Sequence, residues 1–116
     1  MRVIPAPGPF NYSALNNRAV QEARGEVLLL LNNDVEVIDP GWLHEMVGQA
    51  MRPDVGAVGA KLLYADDTVQ HGGVVLGAGG VAGHFGLGMD RADPGHFGVL
   101  ALVRQVSAVT AACLAV

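Results

Sequence analysis

Glu26-Val-Leu-Leu-Leu-Leu-Asn-Asn-Asp34 joins an unbroken apolar run of strand length to a polar break. A strand with one face in water alternates apolar and polar residues, whereas Glu26–Leu31 has no polar face to turn outward. It is expected to be a central parallel strand, buried on both faces. Asn32, Asn33 and Asp34 stop it, and Val35–Ile38 forms a short segment after them. Upstream, Pro5, Pro7 and Pro9 make an extended lead-in. Asn11 then caps a helix expected over Tyr12–Arg24. Leu15, Ala19, Val20 and Ala23 follow helical spacing, and Gly25 supplies a left-handed stop.

Downstream, Asp39-Pro40 caps a second helix with proline in its first turn. Trp42, Leu43, Met46, Val47 and Ala50 recur at three and four residues, and Pro53 closes the helix. A strand is expected at Val55–Leu62, a turn at Tyr64–Thr68 and a further strand at Val69–Leu76, the pair forming a hairpin. Gly77–Gly98 keeps no period and is long for a structureless connection, which points to a binding loop or lid. Val99–Val103 and Val106–Val116 are the last strand candidates. Strand–helix alternation makes the fold class α/β.

Composition narrows the function. The 116 residues suit one domain, and with 51% hydrophobic residues the chain is too apolar for disorder. Seven basic against eleven acidic side chains leave a net charge of −4. Lys61 is the one lysine and the arginines are scattered, so no nucleic-acid partner is expected. Cys113 is alone, which rules out a disulfide framework and a cysteine metal cluster. Met1–Phe10 holds three prolines and no apolar core, so it does not read as a signal peptide. No apolar run approaches the roughly 18 residues of a membrane span. A soluble, cytoplasmic product is expected. The chain stops inside the apolar run Val109–Val116, where natural domains usually end in a polar tail. Either this run docks as a C-terminal strand in a sheet or the chain is a central fragment of a longer protein, and the fragment is the reading expected.

Asn32-Asn33-Asp34 is the strongest candidate site. Ligands of open α/β sheets sit outside the carboxyl ends of the strands. An aspartate there, beside amide oxygens, suits a hard divalent cation held together with a diphosphate. Such an ion offsets charge on a departing phosphate, which implies phosphate-ester or glycosyl transfer. The same three residues also make an ordinary turn. Asn17 and Arg18, on the first helix, offer an amide and a guanidinium fork to a nucleotide, or simply an exposed polar face. His71, His84 and His96 lack compact ligand spacing; His71 is the one expected to face a ligand. Gly77, Gly79 and Ala82 match a dinucleotide fingerprint, but no helix pattern follows to receive the pyrophosphate. Cys113, in an apolar run without a nearby base, reads as a structural thiol.

Three stretches together resemble the bacterial family 2 glycosyltransferases: Phe10–Ala19, Ala23–Asp34 and Asp39–Leu43. The likeness continues through Val55–Leu62, Gln70–Gly77 and Val106–Cys113, in order and at family-like spacing. Within the family the chain is similar to the polysaccharide- and rhamnosyltransferase-like branch. The resemblance implies a GT-A fold, a three-layer α/β/α sandwich, here incomplete, with residues 1–116 forming a single partial domain. It implies inverting transfer of a sugar from a nucleotide-diphospho-sugar donor to a saccharide or lipid-linked acceptor, in surface polysaccharide synthesis. The parent protein is then expected in the cytoplasm or at the inner face of the cytoplasmic membrane. Asn32-Asn33-Asp34 falls on the family's DXD position, with Asn where the first Asp often stands. Asp34 would there ligate Mn²⁺ or Mg²⁺, held less tightly by one carboxylate than by two. Asn17 and Arg18 fall where the family's helix approaches the nucleotide, and His71, Gly72 and Thr110 fall near the sugar and acceptor. The family's nucleobase-gripping acid and its general base have no counterpart in this chain. A non-catalytic remnant of the same fold and a nucleotidyltransferase-like donor-binding domain are the alternative readings.

Two outcomes are expected of the isolated chain. It shows no transferase turnover, and sugar transfer measured with it would refute that. Open sheet edges and apolar faces, with only 16% charged residues to guard them, drive self-association to a dimer or larger assembly. A strictly monomeric light-scattering mass at high concentration would contradict this.

Overall fold

The computed structural model describes residues 2–116; Met1, the first residue of the segment read for a leader, lies outside them. In chain order the elements are α1 (Tyr12–Glu22), β1 (Leu29–Leu31), α2 (Trp42–Ala50), β2 (Val58–Gly59), β3 (Leu62–Leu63), β4 (Val69–His71), β5 (Val74–Leu76), β6 (Ala82–His84) and β7 (Cys113–Ala115). Single 3₁₀ turns lie at Ala78–Gly80 and His96–Gly98.

β7 is the centre of the main sheet. β1 pairs with it antiparallel, Leu29 opposite Ala115 and Leu31 opposite Cys113, and β2 pairs with its other side, Val58 opposite Ala115. Leu28 and Val116 exchange both backbone hydrogen bonds at 2.8 and 3.0 Å, and the Asn32 N–H donates to Ala112 O at 2.9 Å, so the β1–β7 ladder extends beyond the strands proper. β1 is thus an edge strand beside an antiparallel neighbour, not the central parallel strand expected. A continuous apolar run reports burial, but it carries no information on the direction of the strand beside it. Val27 and Leu29 pack on the core, and Leu31 at the end of the run is exposed.

One helix covers this sheet. Met46 of α2 is buried with Leu62, Cys113 and Ala115, and Trp42, Ala50 and Val58 pack around them. α2 begins at Trp42 with Gly41 as its cap and no side-chain cap, so Asp39 and Pro40 lie just ahead of the helix instead of at its cap and first turn. Asp39 shapes the approach, its carboxylate accepting from the Gly41 N–H at 2.6 Å and its carbonyl from the Trp42 N–H at 3.2 Å. α1 begins as expected, with the Asn11 side chain accepting from the Ala14 N–H at 3.0 Å, but it ends at Glu22 and turns extended at Ala23 without a left-handed Gly25. None of its residues is buried. Among the described residues a second helix layer is therefore not formed. The solvent-exposed area is 8397 Å², where a compact protein of this mass would show about 6000 Å². The apolar side chains of α1 account for part of that excess.

The second half is built from hairpins. β3 and β4 form the expected hairpin around Tyr64–Thr68, with Leu62 opposite His71. The strand expected over Val69–Leu76 breaks at Gly72-Gly73, and β5 turns away to pair with β6, Val74 opposite His84. Val55–Leu62 likewise divides into β2 and β3, and of Val106–Val116 only Cys113–Ala115 is strand. Gly77–Gly98 is not structureless. The Val69 N–H donates to Met89 O, the Gly88 N–H to Val69 O and the Arg91 N–H to Asp67 O, fastening the stretch beside β4.

Val99–Val103 is a turn rather than a strand, and its Leu100 is buried. Leu100 sits in a socket of glycines: a Cβ on Gly72 would lie 2.6 Å from its Cδ2, one on Gly86 2.8 Å from the same atom, and one on Gly95 3.1 Å from its Cγ. Arg104 seals the socket, donating to Gly72 O at 2.7 Å and Val99 O at 3.1 Å, with its guanidinium 4.7 Å from the Phe85 ring centroid. The concentration of glycine here thus has a packing cause.

Gly86 also holds φ +74°, so Gly86→Ala is expected to cost about 2–4 kcal/mol in urea unfolding, combining overpacking with backbone strain. Gly88→Ala, at φ +76° with open space around it, is expected to cost about 1–2 kcal/mol. Gly86→Ala and Leu100→Ala together should fall short of their summed costs by more than about 0.5 kcal/mol, because the shortened side chain clears the new methyl. Strict additivity would contradict the socket.

Candidate functional site

An open cleft of about 330 Å³ is lined by Tyr64, Gln70, His71, His84, Leu87, Thr110 and Ala112. β4 supplies Gln70 and His71, β6 supplies His84, and the approach to β7 supplies Thr110 and Ala112.

His71 is the pivot. It is 1% exposed, and its Nδ1 lies 2.8 Å from Nδ1 of His84, the rings meeting edge to face at 76°. Its Nε2 accepts the Thr110 N–H at 3.4 Å. Thr110 Oγ1 accepts the Ala112 N–H at 3.4 Å, and Ala112 O accepts the Asn32 N–H at 2.9 Å. A continuous run of hydrogen bonds thus joins the turn after β1 to the histidine pair. Burial pushes the His71 imidazole below its ordinary pKa, and the charge of His84 adds to the effect, so His71 is held neutral.

The other predicted residues fall in three places. Asn32, Asn33 and Asp34 form an exposed turn at the carboxyl end of β1, where the chain was expected to present them. Asn17 and Arg18 are exposed on α1. Arg18 borders a separate hollow of about 180 Å³ with Pro7, Pro9, Asn11 and Leu15, which shares no residue with the main cleft. Gly72 does not line the cleft; its N–H donates to Phe85 O at 3.1 Å and its missing side chain makes room for Leu100.

Tyr64, His84, Leu87 and Ala112 line the cleft without having been assigned to it from the sequence. The signal for His84 was the hairpin: a turn at Gly77–Val81 folds residue 84 back onto residue 74, three positions from His71. Of the three histidines spaced through this region, two converge and His96 does not. Among the described residues, no three His, Cys, Asp or Glu side chains come together as a metal site. Gly77, Gly79 and Ala82 form the β5–β6 hairpin, with no helix after them to receive a pyrophosphate. Cys113 is buried with its Sγ 3.6 Å from Met46 Sδ, and burial raises its pKa, as expected of a structural thiol.

Residues 1–91 match the model of the family described as glycosyl transferase family 2. The chain is 57% identical over all its 116 residues to an uncharacterized protein, y4gI, of Sinorhizobium fredii, of which it covers 13%. It is 64% identical over 76 residues, 66% of its length, to the O-antigen biosynthesis protein RfbC of Myxococcus xanthus, of which those residues are 6%. The chain therefore spans a small part of the curated relatives it matches. No solved structure matches it.

The neutral, buried His71 sets a pH dependence. The unfolded chain takes up a proton as pH falls through the ordinary imidazole value of 6.5, while the folded chain does not until its lower pKa is reached. The unfolded state then binds more protons, so stability falls with pH across that window and is unaffected above it. Thermal unfolding should show a lower Tm at about pH 5 than at pH 7, with a smaller drop in His71→Asn. An equal drop in the variant would remove His71 as the cause.

Proposed function

The chain belongs to glycosyl transferase family 2, and on that premise we propose that it is the donor-binding core of an inverting glycosyltransferase of surface polysaccharide synthesis. The donor is a nucleotide-diphospho-sugar and the acceptor a saccharide or a lipid-linked saccharide. The hydrogen bond from the Asn32 N–H to Ala112 O carries the reading, because it fastens the Asn32–Asp34 turn to a residue that lines the cleft with Thr110 and His71. A diphosphate at the turn would leave its sugar beside the cleft. The name of the Myxococcus xanthus relative, an O-antigen biosynthesis protein, supports the polysaccharide setting.

The residues at the turn fit a divalent cation. Asp34 offers a carboxylate with no side-chain partner among the described residues, and Asn32 and Asn33 offer amide oxygens. Mg²⁺ and Mn²⁺ take oxygen donors, and one or two carboxylates suffice when substrate phosphates complete the shell. When bound, such an ion offsets the negative charge that develops on a leaving diphosphate. Asp34 would hold it, Asn32 and Asn33 would orient the diphosphate, and Asn17 and Arg18 would approach the nucleotide. His71 and Thr110 would border the sugar, with Gly72 shaping the strand break behind them. Deprotonation of the acceptor hydroxyl is left to a base outside this chain.

The same reading explains the open surface. We assign the exposed face of α1 and the unpaired edge of β1 to contacts that complete a three-layer GT-A sandwich in the longer protein, or to pairing between copies of this chain. No described helix is long and apolar enough to cross a membrane. The proposed location is the cytoplasm, at the inner face of its membrane when the acceptor is lipid-linked.

Calorimetric titration with UDP, dTDP and GDP, each with and without Mn²⁺, tests the donor site. One diphosphate is expected to bind only with metal, and Asp34→Ala should weaken it by at least about tenfold. Binding indifferent to both metal and Asp34 would defeat this reading in favour of a remnant that keeps the fold without the donor chemistry.

A further inference from the structure

We infer that His84 is a ligand-contacting residue of the cleft, presenting Nε2–H to a hydroxyl of a neutral saccharide, and that His71 is the positioning residue that fixes its tautomer. The inference deepens the proposed function and rests on it for the choice of a saccharide.

The tautomers follow from donors and acceptors alone. The Thr110 backbone N–H can only donate, so Nε2 of His71 must hold its lone pair. Neutral His71 then carries its proton on Nδ1 and gives it to Nδ1 of His84 at 2.8 Å. His84 is left with a lone pair on Nδ1 and its own proton on Nε2. His84 is exposed and borders the cleft, and among the described residues its Nε2 has no partner. The pair therefore fixes which nitrogen of His84 is left as a donor toward the cleft.

The chemistry of the lining selects the ligand. Apart from the two histidines, the lining contains no Asp, Glu, Lys or Arg side chain. A phosphate desolvated in such a cleft would meet no compensating cation. Tyr64, Gln70 and Thr110 supply an aromatic face, an amide and a hydroxyl, and Leu87 adds apolar surface. That mixture of neutral donors and acceptors with apolar surface suits a sugar ring, which carries hydroxyls around its rim and C–H groups on its face. The charged part of the donor belongs at the Asp34 turn, and the neutral part in the cleft.

Two-bond ¹H–¹⁵N correlation spectra of the histidine rings in the ¹⁵N-labelled chain test this directly. Wild type is expected to show the Nδ1–H tautomer at His71 and the Nε2–H tautomer at His84. Titration with methyl α-L-rhamnoside, methyl α-D-glucoside and methyl α-D-mannoside should move the His84 Nε2 signal saturably for at least one of them, whereas sodium pyrophosphate with Mg²⁺ should not. His84→Ala should weaken that glycoside by about tenfold, and His84→Gln, which restores an N–H in the place of Nε2–H, should recover most of the loss. His71→Asn keeps a donor toward His84 and should preserve the tautomer; His71→Leu should mix the tautomers and weaken binding with His84 still present. An Nδ1–H tautomer at His84 in wild type, or no response to any of the three glycosides, overturns the inference. If a nucleotide diphosphate binds at Asp34 while no glycoside moves His84, this inference falls alone. If His84 responds and no nucleotide binds, the donor reading falls and the cleft assignment stands.

Discussion

Cys113–Ala115 is held on both sides by backbone hydrogen bonds, to Leu29–Leu31 and to Val58–Gly59, and the rest of the structure is arranged around that pairing. Without β7, β1 and β2 would be two short segments with no shared ladder. With it, both run in the same direction across an antiparallel partner, and α2 bridges them over one face. The burial of Cys113 and Ala115 against Met46 follows from the strand's alternation, which points both toward the helix. A chain of this length has little core to spare, so a strand that is central by position is also central energetically.

The same pairing carries the site. The turn that ends β1 comes to lie beside the loop that leads into β7, because antiparallel strands put the end of one at the beginning of the other. Asn32 therefore bonds to Ala112, and through Thr110 the connection reaches His71. A parallel arrangement of β1 and β7, with a long crossover between them, would have placed the turn at the far end from Thr110. The direction of one strand thus decides whether the Asn32–Asp34 turn and the histidine cleft are neighbours.

The glycine-rich half works differently. It has little regular structure to stabilise it, so shape complementarity takes that part. Leu100 enters a space that exists because Gly72, Gly86 and Gly95 carry no side chain, and Arg104 ties the strand break to the turn beyond it. That packing keeps β6 and its His84 against β4, and it makes the histidine pair a consequence of glycine placement. The loop is accordingly better described as a fitted wall of the cleft than as a lid.

Much was legible in the residues themselves. Asn11 and Asp39 announced two helix starts, Tyr64–Thr68 a hairpin turn, Asn32–Asp34 the polar end of a strand, and Cys113 a buried thiol, since caps, turns and breaks depend on neighbours a few positions away. The family resemblance was legible for the same reason, being carried by short ordered stretches. The orientation of β1, the exposure of α1, the division of Val69–Leu76 at Gly72-Gly73 and the meeting of His71 with His84 were not. Each depends on which distant segment lies alongside, and an apolar run or a spacing of histidines is compatible with several neighbours. Local chemistry was determined by the sequence alone; the joining of that chemistry into one cleft was decided by long-range backbone pairing and by the volume that absent side chains leave open.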